Sequence, residues 1–385
     1  MRKRELRRNY MIRVLCIYGT RPEAYKMIPL VMGLNAHPEI DCKICVTAQH
    51  RSLLDLAHRP FRITADYDLD IMTADQTLTK ITTRVLQGLP EIIDVCKPDI
   101  VLVHGDTTTA FAASLAAFYA KVKIGHVEAG LRSNDKFSPF PEEMNRKLTG
   151  SMADLHFAPT NISKCNLIKE NVLPETIYVT GNTAIDLIKF TVKDEYIFRT
   201  KALNKLDFGK RIILMAAHRG ESRGKVMEGI CRAAFRIVNE HPDVMLVWPV
   251  HPGKAVAEPA HAILGGHNRI MLTEPIDVFD MHNLMRRAYL LLTDSGGLQE
   301  EAPSFNLPTV VMRDVTERPE GLDAGTLVLA GTDEDRIVEV TSGLLNDKSA
   351  YKRMAETKNP FGDGNSSGRI IDAILERIKE DSKGL

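Results

Sequence analysis

Residues 100–130, IVLVHGDTTTAFAASLAAFYAKVKIGHVEAG, decide the fold. Ile100 to Val103 is a short continuous apolar run, the pattern of a strand covered on both faces of a parallel sheet. Gly105 and Asp106 end it, and Thr107 to Thr109 offer hydroxyls that cap a helix. Ala110 to Ala120 is Ala-rich and apolar almost all round, as a well-covered helix is. Val122 to Val127 reads as the next strand, ended by Glu128, Ala129 and Gly130. In a right-handed βαβ unit both strands run the same way. Asp106 and Glu128 therefore emerge at the same carboxyl-terminal edge, where open α/β sheets bind ligands. Two carboxylates there, beside His104 and His126, have the look of acid/base equipment.

The same rhythm continues on either side. Met11 to Tyr18 is an apolar strand, followed by Gly19-Thr-Arg-Pro-Glu23 and a helix over Ala24 to Leu34. A strand, a Gly turn and a helix opening together make an anion site, which Arg21 and Lys26 can reach. Neither a Walker A sequence nor GxGxxG is present, so ATP and dinucleotides are not indicated. Lys43 to Thr47 is the second strand, running into Ala48-Gln49-His50-Arg51. Residues 75–96 carry a helix with Leu78, Ile81, Val85, Leu89, Ile92 and Ile93 at helical spacing. After Glu128 comes a polar loop, and Pro141-Glu142-Glu143-Met-Asn-Arg146 opens another helix, with two glutamates in a first turn, where they complement the helix dipole. Ala153 to Pro159 and Ile177 to Val179 are further strands, giving this half a sheet of about seven.

Residues 188–210 read as helical and charged, the entry to a second domain. Strands then recur at Arg211 to Ala216, Val244 to Trp248, Ile270 to Leu272, Tyr289 to Leu292 and Thr309 to Met312, with helices between them. The fold class is α/β with two Rossmann-like domains, one over residues 11–185 and one over 186–365, and a last helix over 366–382.

Composition excludes several classes. The 385 residues are 44% apolar and 26% charged with zero formal net charge, a soluble globular balance that gives no support to a nucleic-acid or membrane partner. No apolar run approaches the ~18 residues of a membrane helix. Residues 1–8 are basic but no apolar signal-peptide core follows, so they read as a solvated arm. Six cysteines in this length are no disulfide scaffold. Cys42 and Cys45 form a CxxC on a strand, where residues three apart face opposite ways, and no second pair sits at zinc spacing. Buried thiols, a cytoplasmic location and no metal site are expected.

The second half carries its own ligand signal. In Asp294-Ser-Gly-Gly-Leu-Gln-Glu-Glu301, Ser295, Gly296 and Gly297 lie between a strand and a helix, where backbone N–H groups can approach a phosphate. Glu301, one turn on, suits a ribose diol. Arg318, after the next strand, can add a cation for a diphosphate. His218 and Arg219 leave the first strand of this half, one titratable and one an anion binder.

Together these stretches match a family. The chain resembles the non-hydrolysing UDP-N-acetylglucosamine 2-epimerases from about Met11 to its C-terminus. The matching motifs are Gly19-Thr-Arg-Pro-Glu-Ala-Tyr-Lys26, Thr47-Ala-Gln-His-Arg51, His104-Gly-Asp-Thr-Thr-Thr109, His126-Val-Glu-Ala-Gly-Leu-Arg132, Pro141-Glu-Glu-Met-Asn-Arg146, Val179-Thr-Gly-Asn-Thr183, His251-Pro252, Asp294 to Glu301, and Thr316-Glu-Arg-Pro-Glu320. The resemblance implies a glycosyltransferase-B-like fold, in which the two domains face a cleft and the last helix crosses back to the first. It also implies a homodimer, a UDP-sugar substrate and no metal or nicotinamide cofactor. Position by position, it implies UDP contacts at Arg21, Lys26, Ser295, Glu301 and Arg318, and a catalytic set of Asp106, Glu128, Glu142 and His218. Glu142 takes its catalytic role from the resemblance alone. Gln49 and Arg219 match a second, activating UDP-GlcNAc site, whereas Ser52 and Asp75 depart from it. Gly220 stands where the family has Arg, and Ile276 and Met281 where it often has Gln and Phe.

The implied reaction explains the residue types. The C2 proton of the sugar is not acidic, because C2 bears no carbonyl. Loss of UDP from C1 makes an oxocarbenium-like centre and acidifies that proton. Anti elimination to 2-acetamidoglucal and re-addition from the other face then invert C2. Cations and N–H dipoles hold the leaving diphosphate, and acids serve both faces of C2. Crowding of Asp106, Glu128 and Glu142 raises at least one pKa; which of them takes the proton stays open at this level. A closing cleft keeps the glycal from escaping. A hydrolysing epimerase releasing ManNAc, a retaining glycosyltransferase of the same fold and a catalytically silent UDP-sugar sensor are the alternatives. A modified UDP-sugar is an alternative substrate.

Overall fold

The computed structural model describes residues 11–49, 51–73, 76–219 and 224–381. The basic residues 1–8, His50, Asp75, Gly220 and the final position of the expected last helix, 382, lie outside them. The chain divides into two units: one runs to Leu187 and resumes at Gly362, and Ile188–Phe361 form the other.

The first unit begins β1 (Ile12–Tyr18), α1 (Arg21–Ala36), β2 (Ile40–Val46), α2 (Arg51–His58), β3 (Tyr67–Asp68), α3 (Leu78–Cys96), β4 (Ile100–His104) and α4 (Thr108–Tyr119). It continues through β5 (Lys123–Val127), α5 (Glu142–Met152), β6 (Leu155–Ala158), α6 (Asn161–Lys169), β7 (Ile177–Val179) and α7 (Thr183–Thr191). The seven strands are parallel in the order β3-β2-β1-β4-β5-β6-β7. Chain direction across the sheet reverses between β1 and β4, which puts a crevice-forming switch point beside Gly19 and Asp106. Every residue of β4 is buried. Ile81, Val85, Leu89 and Ile93 of α3 repeat every four residues and bury one face in a cluster shared with the alanines of α4, at roughly 2 kcal/mol per large side chain.

Cys42 faces Cys16 on the neighbouring strand, Sγ to Sγ 3.9 Å, while Cys45 enters the cluster on the α3 side. All six cysteines are free thiols.

The second unit holds β8 (Arg211–Ala216), α8 (Lys225–Glu240), β9 (Val244–Pro249), α9 (Lys254–Leu264), β10 (Ile270–Thr273), α10 (Val278–Arg287), β11 (Leu290–Thr293) and α11 (Gly296–Glu301). β12 (Thr309–Val311), α12 (Pro319–Ala324), β13 (Leu327–Leu329), α13 (Glu334–Asn346) and α14 (Lys348–Ala355) complete it. Its six strands are also parallel, in the order β10-β9-β8-β11-β12-β13, with the switch point between β8 and β11. The last helix, α15 (Ser366–Asp381), belongs to the first unit. Its first turn is tied there by Asp186, whose carboxylate accepts from the N–H of Ser366 at 3.0 Å and of Ser367 at 2.6 Å.

The expectation of helix across 188–210 is corrected. Helix α7 stops at Thr191, and after it only a 3-10 turn forms, Lys201–Lys205. The reason lies far along the chain. Fully buried Asp280 accepts from the N–H of Arg199 at 2.9 Å, the N–H of Thr200 at 2.8 Å and the Tyr196 hydroxyl at 2.8 Å. Asn283 takes the Lys193 N–H at 3.1 Å. Those acceptors satisfy backbone donors that a helix would have paired internally. Among the described residues, no helix is long and apolar enough to cross a membrane.

Candidate active site

In the first unit the switch point collects the acids. Thr20 caps α1 and Pro22 sits in its first turn, so the helix points its N–H groups at the crevice and carries Arg21, exposed, and Lys26, half-buried, on its opening turns. Gly19 is dictated by space: a Cβ there would lie 2.0 Å from Thr47 Oγ1 and 2.7 Å from Thr109 Oγ1. Asp106 lies in the turn after β4, just beyond Gly105 at φ 65°. Glu128 follows β5 with φ 62°, a left-handed backbone that a residue with a Cβ adopts at a cost of about 1 kcal/mol. This conformation turns its side chain into the crevice, where it is 7% exposed.

One guanidinium joins the two acids. Arg146 of α5 donates to the Asp106 carboxylate and to the Glu128 carbonyl oxygen, and its Nη2 lies 3.5 Å from Glu128 Oε1. Lys26 donates to Glu128 Oε2, and Asn182, from the turn after β7, donates to the same oxygen at 3.0 Å. Asn145 holds the Asp106 carbonyl oxygen at 2.9 Å. Burial pushes the Glu128 carboxyl up, but Lys26 and Arg146 outweigh it and hold the group well below the ordinary carboxylate range. Glu142, the first residue of α5, moves the other way: burial raises it and the neighbouring Asp106 charge adds to the rise. The acids therefore sit in opposed environments, one kept ionised and one biased to hold a proton. Burial pushes His104 down to about 4 and His126 well below the ordinary range. Neutral His126 gives its Nε2–H to the Gly105 carbonyl at 2.7 Å and so braces the turn that carries Asp106.

In the second unit the edge at β8, β11 and β12 gathers His218, two arginines and the Ser295-Gly-Gly297 turn. Asp294, fully buried after β11, accepts from the N–H of His218 and of Arg219, both at 2.8 Å. The His218 ring lies 3.7 Å from the same carboxylate and stacks on His251 at 5.8 Å between centroids. Burial and His251 push its pKa down, against the pull of Asp294. Two guanidiniums overhang Gly296: a Cβ there would lie 3.4 Å from Arg318 Nη2 and 3.6 Å from Arg219 Nη2. Arg318 is aimed by a hydrogen bond to Glu300. Glu317 lies 3.7 Å from Arg219, and Ser295 and Gly297 flank the same turn. Glu301 is held by His282 at 3.3 Å, itself fixed by the Thr191 hydroxyl at 2.6 Å.

Arg21, Lys26, Asp106, Glu128 and Glu142 thus share the edge of the first sheet, and His218, Arg219, Ser295, Gly296, Gly297, Glu301 and Arg318 that of the second. Lys26, expected on an anion, is engaged by Glu128. Gln49 accepts from Thr109 Oγ1 at 3.0 Å. Sequence reasoning passed over Arg146, Asn182 and Asp294. Arg146 stands four residues after Glu142 on a helix, so it shares the face of Glu142, a spacing that could have exposed it. Asn182 had only its place in a strand-end turn. Among the described residues no cluster of His, Cys, Asp and Glu is arranged to hold a metal ion.

The chain is similar to known proteins over most of its length. The family model for UDP-N-acetylglucosamine 2-epimerase matches residues 32–375. The UDP-N-acetylglucosamine 2-epimerase of Bacillus subtilis is 52% identical over 94% of this chain and 95% of its own length. The S. aureus MnaA–UDP structure superposes with a TM-score of 0.86 at 50% identity, covering 96% of this chain and 97% of that one. UDP-GlcNAc 2-epimerase from Neisseria meningitidis, solved with UDP-GlcNAc bound, gives 0.88 at 42% identity, covering 95% of this chain and 100% of that one. With its two parallel sheets and these matches over most of its length, the chain belongs to the UDP-N-acetylglucosamine 2-epimerase family.

Proposed function

We propose that this protein interconverts UDP-GlcNAc and UDP-ManNAc by inverting C2 without net hydrolysis. The observation that carries the reading is the Arg146 bridge, which holds Asp106 and Glu128 together while Glu142 stands on the same helix. Support comes from the UDP and UDP-GlcNAc bound to the two related structures.

The reaction on this reading runs as two half-steps. The C1–O bond to the diphosphate breaks and its electron pair leaves with UDP. The C2–H bond supplies the pair that forms the C1=C2 bond of 2-acetamidoglucal, and its proton passes to an acid of the first unit. Re-addition reverses both events, with the proton delivered to the opposite face of C2. Glu128, kept ionised, supplies fixed negative charge to the oxocarbenium-like centre. Glu142, whose proton affinity is raised, exchanges the proton on one face of C2. Asp106, which shares Arg146 with Glu128, exchanges it on the other. Arg21, Arg219, Arg318 and the N–H groups of residues 295–297 hold the departing diphosphate, with Lys26 balancing Glu128 at the same edge. Glu301 accepts from the ribose diol, and His218, neutral and set by Asp294, serves the leaving oxygen. The enzyme works as a cytoplasmic homodimer that supplies ManNAc-type sugars for surface polysaccharide.

Incubation with UDP-GlcNAc in D2O, followed by proton NMR at C1 and C2, tests it. UDP-ManNAc carrying deuterium at C2 is the expected product. Free ManNAc with UDP would mean a hydrolysing enzyme, and protium retained at C2 would remove the elimination step.

A further inference from the structure

Glu23 is buried at 2% exposure and sits in neither set of residues described above. Its Oε2 accepts from the N–H of Gly19 at 3.1 Å and of Thr20 at 2.8 Å. Its Oε1 accepts from Thr107 Oγ1 at 2.7 Å. The first two bonds close the turn that leads to Arg21; the third reaches the turn after β4, next to Asp106. Thr107 itself caps α4 through the Ala110 N–H at 3.0 Å. One carboxyl thus spans the switch point between β1 and β4 and couples two turns 84 residues apart in sequence.

We infer that Glu23 is a positioning residue that fixes the Asp106 turn against the Arg21 turn, so that the acid and the anion holder keep one register. The inference rests on the proposed roles of Arg21 and Asp106. A helix cap alone needs only the Thr20 hydroxyl and the two N–H bonds; the bond to Thr107 is additional. Burial pushes Glu23 up to about 7, against the N–H and hydroxyl donors that pull it down. A residue serving only as packing would be apolar here, because a buried carboxyl is costly. The other ties on the Asp106 turn described above come from β5 and α5: Gly105 N–H to the Val127 carbonyl at 2.9 Å, the His126 ring to the Gly105 carbonyl at 2.7 Å, Asn145 to the Asp106 carbonyl and Arg146 to the Asp106 carboxylate; none of them reaches the Arg21 turn as Glu23 does.

Two substitutions disturb the coupling bond. Glu23→Gln keeps the shape and an acceptor for the backbone N–H groups but removes the carboxylate oxygen that takes the Thr107 hydroxyl proton, leaving an amide N–H that can only donate to a hydroxyl already accepting from the Ala110 N–H. Thr107→Val removes the hydroxyl. Each is expected to lower kcat for UDP-GlcNAc epimerisation by about 10- to 100-fold. The double variant should be no slower than the slower single one, because both remove one bond, and Thr107→Ser should recover most of what Thr107→Val loses. Hydrogen exchange reads the same bond without turnover: Thr107→Val should speed exchange in residues 19–23, and Glu23→Gln in residues 105–110. Losses that multiply in the double variant, a kcat within about twofold of wild type, or exchange changes confined to the substituted turn would overturn the inference. Should Glu23→Gln fail to fold, the Thr107→Val and Thr107→Ser pair decides. A wild-type enzyme that leaves C2 untouched would remove the proposed reaction, while the exchange data would still show whether Glu23 couples the turns.

Discussion

Lys26 and Glu128 form a partly buried ion pair across 102 residues of sequence. Arg146 and Asn182 also touch Glu128, yet Lys26 is first among the groups that oppose its burial and hold it ionised. Lys26→Met should therefore raise the Glu128 pKa and move the acid limb of the kcat–pH profile to higher pH. Removing one partner of a buried pair costs about 3 kcal/mol. The sign with pH follows from the depressed carboxyl: its stabilisation is present above the unfolded value of about 4.3 and lost as pH falls through the folded one. Urea unfolding should show the full deficit of Lys26→Met at pH 7 and a smaller one at pH 3. A deficit independent of pH would count against the pair.

Arg146 binds Asp106 and two oxygens of Glu128 through a planar fork. An ammonium is a single point and cannot span them. Arg146→Lys is expected to cut kcat by about 100-fold or more while UDP still binds. Turnover by coupled assay and UDP affinity by calorimetry check the two halves. Full activity with lysine would show that charge alone suffices there.

Much of this site was legible in the sequence because its signals are local. The run from Ile100 to Val103 marks a covered strand, and the residues that end β4 and β5 fall at one sheet edge by the handedness of βαβ units. Local pattern alone therefore puts Asp106 and Glu128 together. The partners that set their chemistry were not legible, since they arrive from other elements. Lys26 reads locally as an anion holder in a first turn, and only the tertiary fold lays it on Glu128. Glu142 reads locally as a dipole-complementing residue; only burial and the approach of Asp106 raise its proton affinity. The stretch after Thr191 failed for the same reason, its backbone donors being claimed by Asp280 and Asn283 some 80 to 90 residues later.

Gly19 is the tightest point of the first switch. Gly19→Ala would put a methyl 2.0 Å from Thr47 Oγ1 and 2.7 Å from Thr109 Oγ1. Those hydroxyls bond each other at 2.9 Å, so neither can retreat without breaking that bond. Overpacking of this kind costs about 1–3 kcal/mol. A melting temperature lower by several degrees in calorimetry is the expected outcome, with weaker UDP binding as the turn before Arg21 shifts. An unchanged melting temperature would mean that the hydroxyls rotate away freely.

The first unit also buries His58, His104 and His156, each pushed down to about 4 chiefly by burial. A histidine with a depressed folded pKa is neutral in the fold but gains a proton on unfolding near its free value of about 6.5. Stability from these residues is therefore present above pH ~6.5 and lost as pH falls toward 4. His58 meets the Tyr18 hydroxyl at 3.0 Å, a bond that a glutamine amide can keep. His58→Gln should hold stability at pH 7 to within about 1 kcal/mol, the net worth of one hydrogen bond. Between pH 6 and pH 4.5 it should reduce the dependence of unfolding free energy by about 1.4 kcal/mol per pH unit, one proton fewer taken up. Urea titrations followed by far-ultraviolet circular dichroism across that range measure the slope. Parallel curves for His58→Gln and wild type would show that His58 takes up no proton when this unit unfolds.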